Sequence, residues 1–263
     1  MYQQLWFQRL RTWSMALALV GVLLTTGCNQ NVTSDAIAGS PSPSPSASPT
    51  VSPTSQGDSK EPVQFPELAR LDGKATVVMV VKGTPITLEI DGTNAPITAG
   101  NFIDLVDKKV YDGLIFHRVV RQPQPFVVQG GDPQGRNPNV NPEILGKGGY
   151  IDPTTKAARN IPLEIKNADG KLIYGQTFET AKISGVPKLR HTRGALAMAR
   201  SAYPDSASSQ FYVALADLAF LDGSYAVFGN VTKGMEAVDT IQQGDRIDSA
   251  IVTQGIENLK NRR

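Results

Sequence analysis

Between Asn29 and Pro66 the chain carries almost no large apolar side chain, and prolines recur at 41, 43, 45, 49 and 53, alternating with serine over residues 40–45. A segment of this kind cannot bury enough surface to offset its ordering entropy. Alternating prolines bias it instead toward extended polyproline II, with a reach of at most roughly 100 Å. Residues 29–66 are therefore expected to be an unfolded Ser/Pro-rich linker. Whatever folds in this 263-residue chain is expected within residues 67–263.

The segment before the linker reads as targeting. Residues 1–11 carry Arg9 and Arg11 and no acid, and an apolar run follows from Trp13 to Leu24. That run is too short to span a bilayer comfortably, and with its charged flank it describes an export signal over residues 1–28. The run ends in Leu24-Thr25-Thr26-Gly27-Cys28, which resembles the lipobox of bacterial lipoproteins, with Thr25 at the place where leucine is usual. Cys28 is therefore expected to be acylated, and two or more acyl chains would anchor the chain stably to a membrane. The expected location is exported and membrane-anchored, on the periplasmic or thylakoid-lumen side.

Composition removes several classes. Cys28 is the sole cysteine, which excludes an intrachain disulfide and a CxxC site. His117 and His191 are the only histidines and lie far apart, so no metal centre is expected. The 26 basic residues are balanced by 24 acidic ones, which argues against a nucleic-acid partner.

Downstream of the linker the pattern is dense. Residues 75–82 and 84–91 read as two strands around Gly83, the second with Ile86, Leu88 and Ile90 on one face. Asn94 and Pro96 are expected to open a helix, as an N-cap and a first-turn proline, with Ile97, Phe102, Leu105 and Val106 as its apolar stripe. Short strands are predicted at 114–119, 126–129, 194–199, 210–215, 225–231 and 250–253, and a second helix at 234–243. Many short strands, two helices and no βαβ alternation predict a closed antiparallel β-barrel with helical ends.

No GxSxG elbow, HExxH pair or P-loop occurs, and the folded part holds no thiol. An enzyme with this inventory is one that needs no nucleophile. Five segments stand out: Phe116-His117-Arg118, Gln129-Gly130-Gly131-Asp132-Pro133, Ala195 to Ala199, Ser208-Ser209-Gln210-Phe211, and Leu221-Asp222-Gly223 with Val227-Phe228-Gly229. In this order and at about this spacing they resemble the cyclophilin family of peptidyl-prolyl cis-trans isomerases, and the resemblance covers roughly residues 75–256. It implies a mainly β fold, a closed eight-stranded antiparallel barrel capped by two α-helices, with a groove on its outer surface.

By position, the resemblance makes Arg118 the catalytic residue. It puts Phe126, Val127, Phe211 and Leu221 on the floor of a proline pocket. Gln129, Ala199 and Arg200 would border the substrate backbone, and Phe220 and Tyr225 the rim. It further implies proline-containing polypeptides as partners, no cofactor, and a monomer. Residues 121–125 are a few residues longer than the family's turn, and residues 134–188 form a long insertion-like stretch, similar to cyanobacterial and chloroplast-lumen members. Two other readings stay open: a proline-peptide-binding or chaperone module with little turnover, and a structural lipoprotein. His117 is expected to be structural, and Asp132 and Asp222 are expected to form turns.

Overall fold

The computed structural model describes residues 65–262. The expected signal segment, Cys28 and nearly all of the linker lie outside the described residues. Among the described residues twelve strands and two α-helices follow one another. They are β1 (Arg70–Leu71), β2 (Lys74–Val81), β3 (Thr84–Asp91), α1 (Pro96–Asp107), β4 (Arg118–Val119) and β5 (Val127–Gly130). After these come β6 (Glu164–Lys166), β7 (Leu172–Tyr174), β8 (Ala195–Met198), β9 (Phe211–Ala214), β10 (Val227–Lys233), α2 (Met235–Thr240), β11 (Ile247–Gln254) and β12 (Leu259–Lys260).

Eight strands form one curled antiparallel sheet in the order β11-β2-β3-β10-β8-β9-β5-β4. The β2–β3 hairpin begins it. Lys82 and Gly83 both adopt positive φ (53° and 74°), as a two-residue turn matching strand twist requires. Inward positions of β2 and β3 alternate with solvated ones, so Val77, Met79, Ile86, Leu88 and Ile90 all enter the core. The outer strands β4 and β11 do not pair directly. The seam is closed by the segment before β4 against the start of β11 and the residues leading into it, where Gly113 and Phe116 donate to Ile247 and Asp245, and Gly244 and Ile247 donate to Phe116 and Leu114. The expected eight-stranded barrel is thus formed, with a loop segment completing its ring. The strand expected at 114–119 is correspondingly reduced to Arg118–Val119.

Helix α1 is buried along nearly its whole length. Phe102 packs against Tyr111, Phe211 and Phe228 with ring centroids 5.0–5.5 Å apart. Its first turn differs from expectation. The N-cap is Ala95, which has no side chain to offer, and Asn94 turns instead to Asp91. The cap comes from the insertion: the wholly buried Glu164 of β6 accepts the backbone N–H groups of Ile97 (3.1 Å) and Thr98 (2.8 Å). The second helix is shorter than predicted, six residues, because its chain turns extended at Ile241.

Candidate active groove

The outer face of β4, β5, β8 and β9 carries a pocket of about 270 Å³ lined by Arg118, Phe126, Val127, Gln129, Ala199, Arg200, Tyr212, Leu221 and Tyr225. Pairing positions these residues. Arg118 stands opposite Gln129 across β4–β5, and Gln129 stands opposite Tyr212 across β5–β9. Cross-strand partners project to the same face, so one row of the sheet supplies guanidinium, amide and aromatic ring.

The polar side of the pocket is a chain of hydrogen bonds. Arg118 donates to Gln129 Oε1 (3.3 Å), Gln129 Nε2 to Gln210 Oε1 (3.1 Å), and Gln210 Nε2 to the Gly148 carbonyl (2.7 Å). The Arg118 guanidinium also lies 5.4 Å from the centroid of the Phe126 ring, within cation–π reach. Only one of its donors is engaged with Gln129, so the exposed fork keeps N–H groups for a ligand. Phe220, 72% exposed, stacks on Phe126 at 6.0 Å and 16°, extending the apolar floor to the rim.

Arg200 is oriented otherwise. Its guanidinium sits 4.7 Å from the Tyr225 centroid and donates to the carbonyls of Ser224, Ser201 and Ala202. It fastens the end of β8 to the 221–225 loop, and in this way builds the groove wall that carries Leu221 and Tyr225.

Phe211, expected on the pocket floor, lies instead in the barrel core. Its ring is 1% exposed and points into the barrel against Phe102, Tyr111 and Phe116. The neighbouring Tyr212 lines the pocket in its place. Side chains alternate along a strand, and the register that sets Tyr212 beside Gln129 puts Phe211 on the opposite face. The pairing with Gln129 was the signal that identifies Tyr212.

A second cleft of about 420 Å³ adjoins the pocket, sharing Gln129, Ala199 and Arg200 and adding residues 146–149, Ser201, Ser206 and Gln210. Asp132 shapes this cleft and does more than form a turn. Its carboxylate is fully buried and accepts the N–H groups of Gln134, Gly146 and Gly148 at 2.7–3.0 Å. His117 is buried behind Arg118, and burial holds its pKa below the ordinary histidine value. Residues 121–125 do not line the pocket; Arg121 draws their start toward α2 by donating to the carbonyls of Val238 and Asp239.

A family model described as cyclophilin type peptidyl-prolyl cis-trans isomerase/CLD matches residues 76–260. The chain belongs to the cyclophilin family. Among its relatives is a putative thylakoid lumen peptidyl-prolyl cis-trans isomerase of Synechocystis sp., 43% identical over 213 residues, covering 76% of this chain and 52% of that one. A chloroplastic peptidyl-prolyl cis-trans isomerase of Arabidopsis thaliana is 36% identical over 222 residues, covering 76% of this chain and 47% of the other. The chain thus spans about half the length of these two relatives. The crystal structure of a cyclophilin type peptidyl-prolyl cis-trans isomerase from Cryptosporidium parvum superposes with a TM-score of 0.51 at 23% identity, covering 69% of this chain and 98% of that one. That likeness concerns the cyclophilin fold.

Proposed function

We propose that this cyclophilin catalyses cis–trans rotation of X-Pro bonds in polypeptides outside the cytoplasm. In this reading it is tethered through Cys28 and the Ser/Pro linker to a membrane, on a lumenal or periplasmic face. The observation that carries the catalytic part is a guanidinium with spare donors mounted over an apolar pocket, Arg118 beside Phe126. The name of the Synechocystis relative supports the lumenal placement.

The chemistry follows from the amide. Rotation about an X-Pro bond meets a barrier of roughly 18–20 kcal/mol because twisting removes resonance. The twisted state has a pyramidal prolyl nitrogen with a lone pair that the planar amide lacks. A donor aimed at that nitrogen binds the twisted state more tightly than either planar isomer, which is what acceleration requires. Phe126, Val127, Tyr212 and Leu221 hold the pyrrolidine ring and keep water from the bond, while Gln129 steadies the guanidinium. No bond is broken, and no cofactor enters.

The test is protease-coupled isomerisation of a short X-Pro peptide by the full chain. Arg118→Ala should lower turnover by about 10²–10³, as expected for one preorganised transition-state donor, with peptide binding nearly kept. Arg118→Lys should recover little, because an ammonium lacks the planar fork. Full activity in Arg118→Ala would remove the arginine mechanism. Binding without turnover in the wild type would favour the peptide-binding module.

A further inference from the structure

The pocket contains a residue that an apolar site would not ordinarily choose. Tyr212 is 5% exposed, and its hydroxyl must be partnered to be tolerated there. The partner is His191, whose Nε2 lies 3.0 Å from the phenol oxygen. The His191 ring is buried, and its Nδ1 lies 2.8 Å from Asp222 Oδ1, which also accepts the His191 backbone N–H at 2.8 Å. The second Asp222 oxygen is held by Arg190 at 3.2 Å.

These contacts define one protonation pattern. A carboxylate only accepts, so Nδ1 carries the imidazole proton and Nε2 presents its lone pair. The phenol therefore donates to Nε2. Burial favours the neutral forms of both rings, lowering the His191 pKa and raising that of Tyr212. Asp222 directly follows Leu221, so a single chain of bonds connects the floor ring to the pocket wall.

We propose that the Asp222–His191–Tyr212 relay is a positioning device for the proline pocket, with His191 acting on substrate through the Tyr212 ring. This rests on the isomerase reading given above. Without an acceptor at Nε2 the phenol has to seek one in the groove, where its cross-strand neighbour Gln129 also lines the pocket. The ring would then occupy space the pyrrolidine needs, and each incoming peptide would have to displace it. The loss falls equally on planar and twisted amides, so KM rises while kcat holds. Arg118 has the opposite signature.

The experiment is steady-state isomerisation by the full chain as wild type, His191→Phe, His191→Gln and His191→Phe/Tyr212→Phe. His191→Phe should raise KM about tenfold with kcat within about threefold, because it orphans a buried hydroxyl. Removing both polar partners should lower KM again by at least about threefold relative to His191→Phe, and His191→Gln, which keeps an acceptor, should likewise lie at least about threefold below His191→Phe. An unchanged KM in His191→Phe, or a double variant as impaired as the single, overturns the proposal. Imidazole nitrogen shifts measured by NMR on the wild type test the relay independently of any variant's folding. The Nδ1–H tautomer is expected, and an Nε2–H tautomer overturns it. An inactive wild type with the expected tautomer would sink the isomerase reading and leave the hydrogen-bond pattern intact.

Discussion

Replacing Glu164 by alanine tests how far the insertion supports the barrel. In the folded protein this carboxylate is 1% exposed and is the acceptor for Ile97 N–H and Thr98 N–H, both in a fully buried turn. Alanine leaves two buried donors without a partner. Each orphaned donor costs about 1–3 kcal/mol, and loss of an N-cap by itself about 1 kcal/mol. Removing a buried charge offsets part of this, since burial pushes the Glu164 carboxyl above its usual pKa against the pull of the helix N–H groups. A net loss of about 2–4 kcal/mol remains, which for a domain of this size lowers Tm by roughly 5–15 °C. The assay is thermal unfolding of the full chain followed by circular dichroism. Acidification adds a second readout. The folded pKa lies above the unfolded 4.5, so the stabilising contribution of Glu164 grows as pH falls through the folded value. The gap between wild type and Glu164→Ala should therefore widen toward acid pH. A Tm shift under about 2 °C would show that α1 finds another cap, and the reasoning would fail.

A Cβ at Gly148 would overlap the Asp132 carboxylate and the Gln134 amide, so Gly148→Ala should displace the 146–149 loop and lower stability by about 1–3 kcal/mol in denaturant titration. Phe220→Ala removes only an exposed ring stacked on Phe126; KM for an X-Pro peptide should rise roughly threefold while Tm stays within about 1 °C. His117 and His191 both have folded pKa values below the ordinary 6.5 because burial disfavours their cations. The unfolded chain then takes up protons first, so the stability they provide is present above pH 6.5 and is lost as pH falls through the folded values. Melting curves across that range should show Tm falling, with a shallower fall in His117→Phe.

The Arg118 side of the groove could be named through the family resemblance because its residues sit in short local segments. Arg118, Val127 and Gln129 belong to two adjacent strands, with Phe126 directly before the second, and stay together whatever the rest of the chain does. Leu221, Tyr225 and Phe220 share one loop and are equally local. Phe211 and Tyr212 are adjacent aromatics on a strand buried on both faces, and composition does not distinguish the face toward the groove from the face toward the core. Only pairing with Gln129 decides between them. Glu164 was hidden for a different reason: its partners lie 66 and 67 positions away, at a helix whose own sequence advertised Asn94 as its cap. Asp222 and His191 are separated by 31 residues, and each in isolation reads as an ordinary loop residue.

The way the sheet ends has a consequence for the company this protein would keep. An open strand edge is a template on which another chain can add itself, and extended, incompletely folded polypeptides are the chains most able to do so. One outer strand, β4, is only two residues long. On the other, β11, both backbone groups of Ala250 are taken by side chains, its N–H donating to Asp112 and its carbonyl accepting from Lys109. A client polypeptide arriving at this seam meets a short strand, a lysine and an aspartate. In the isomerase reading proposed above, the groove would then release an unfolded client without the sheet recruiting it, and turnover would not end in co-aggregation.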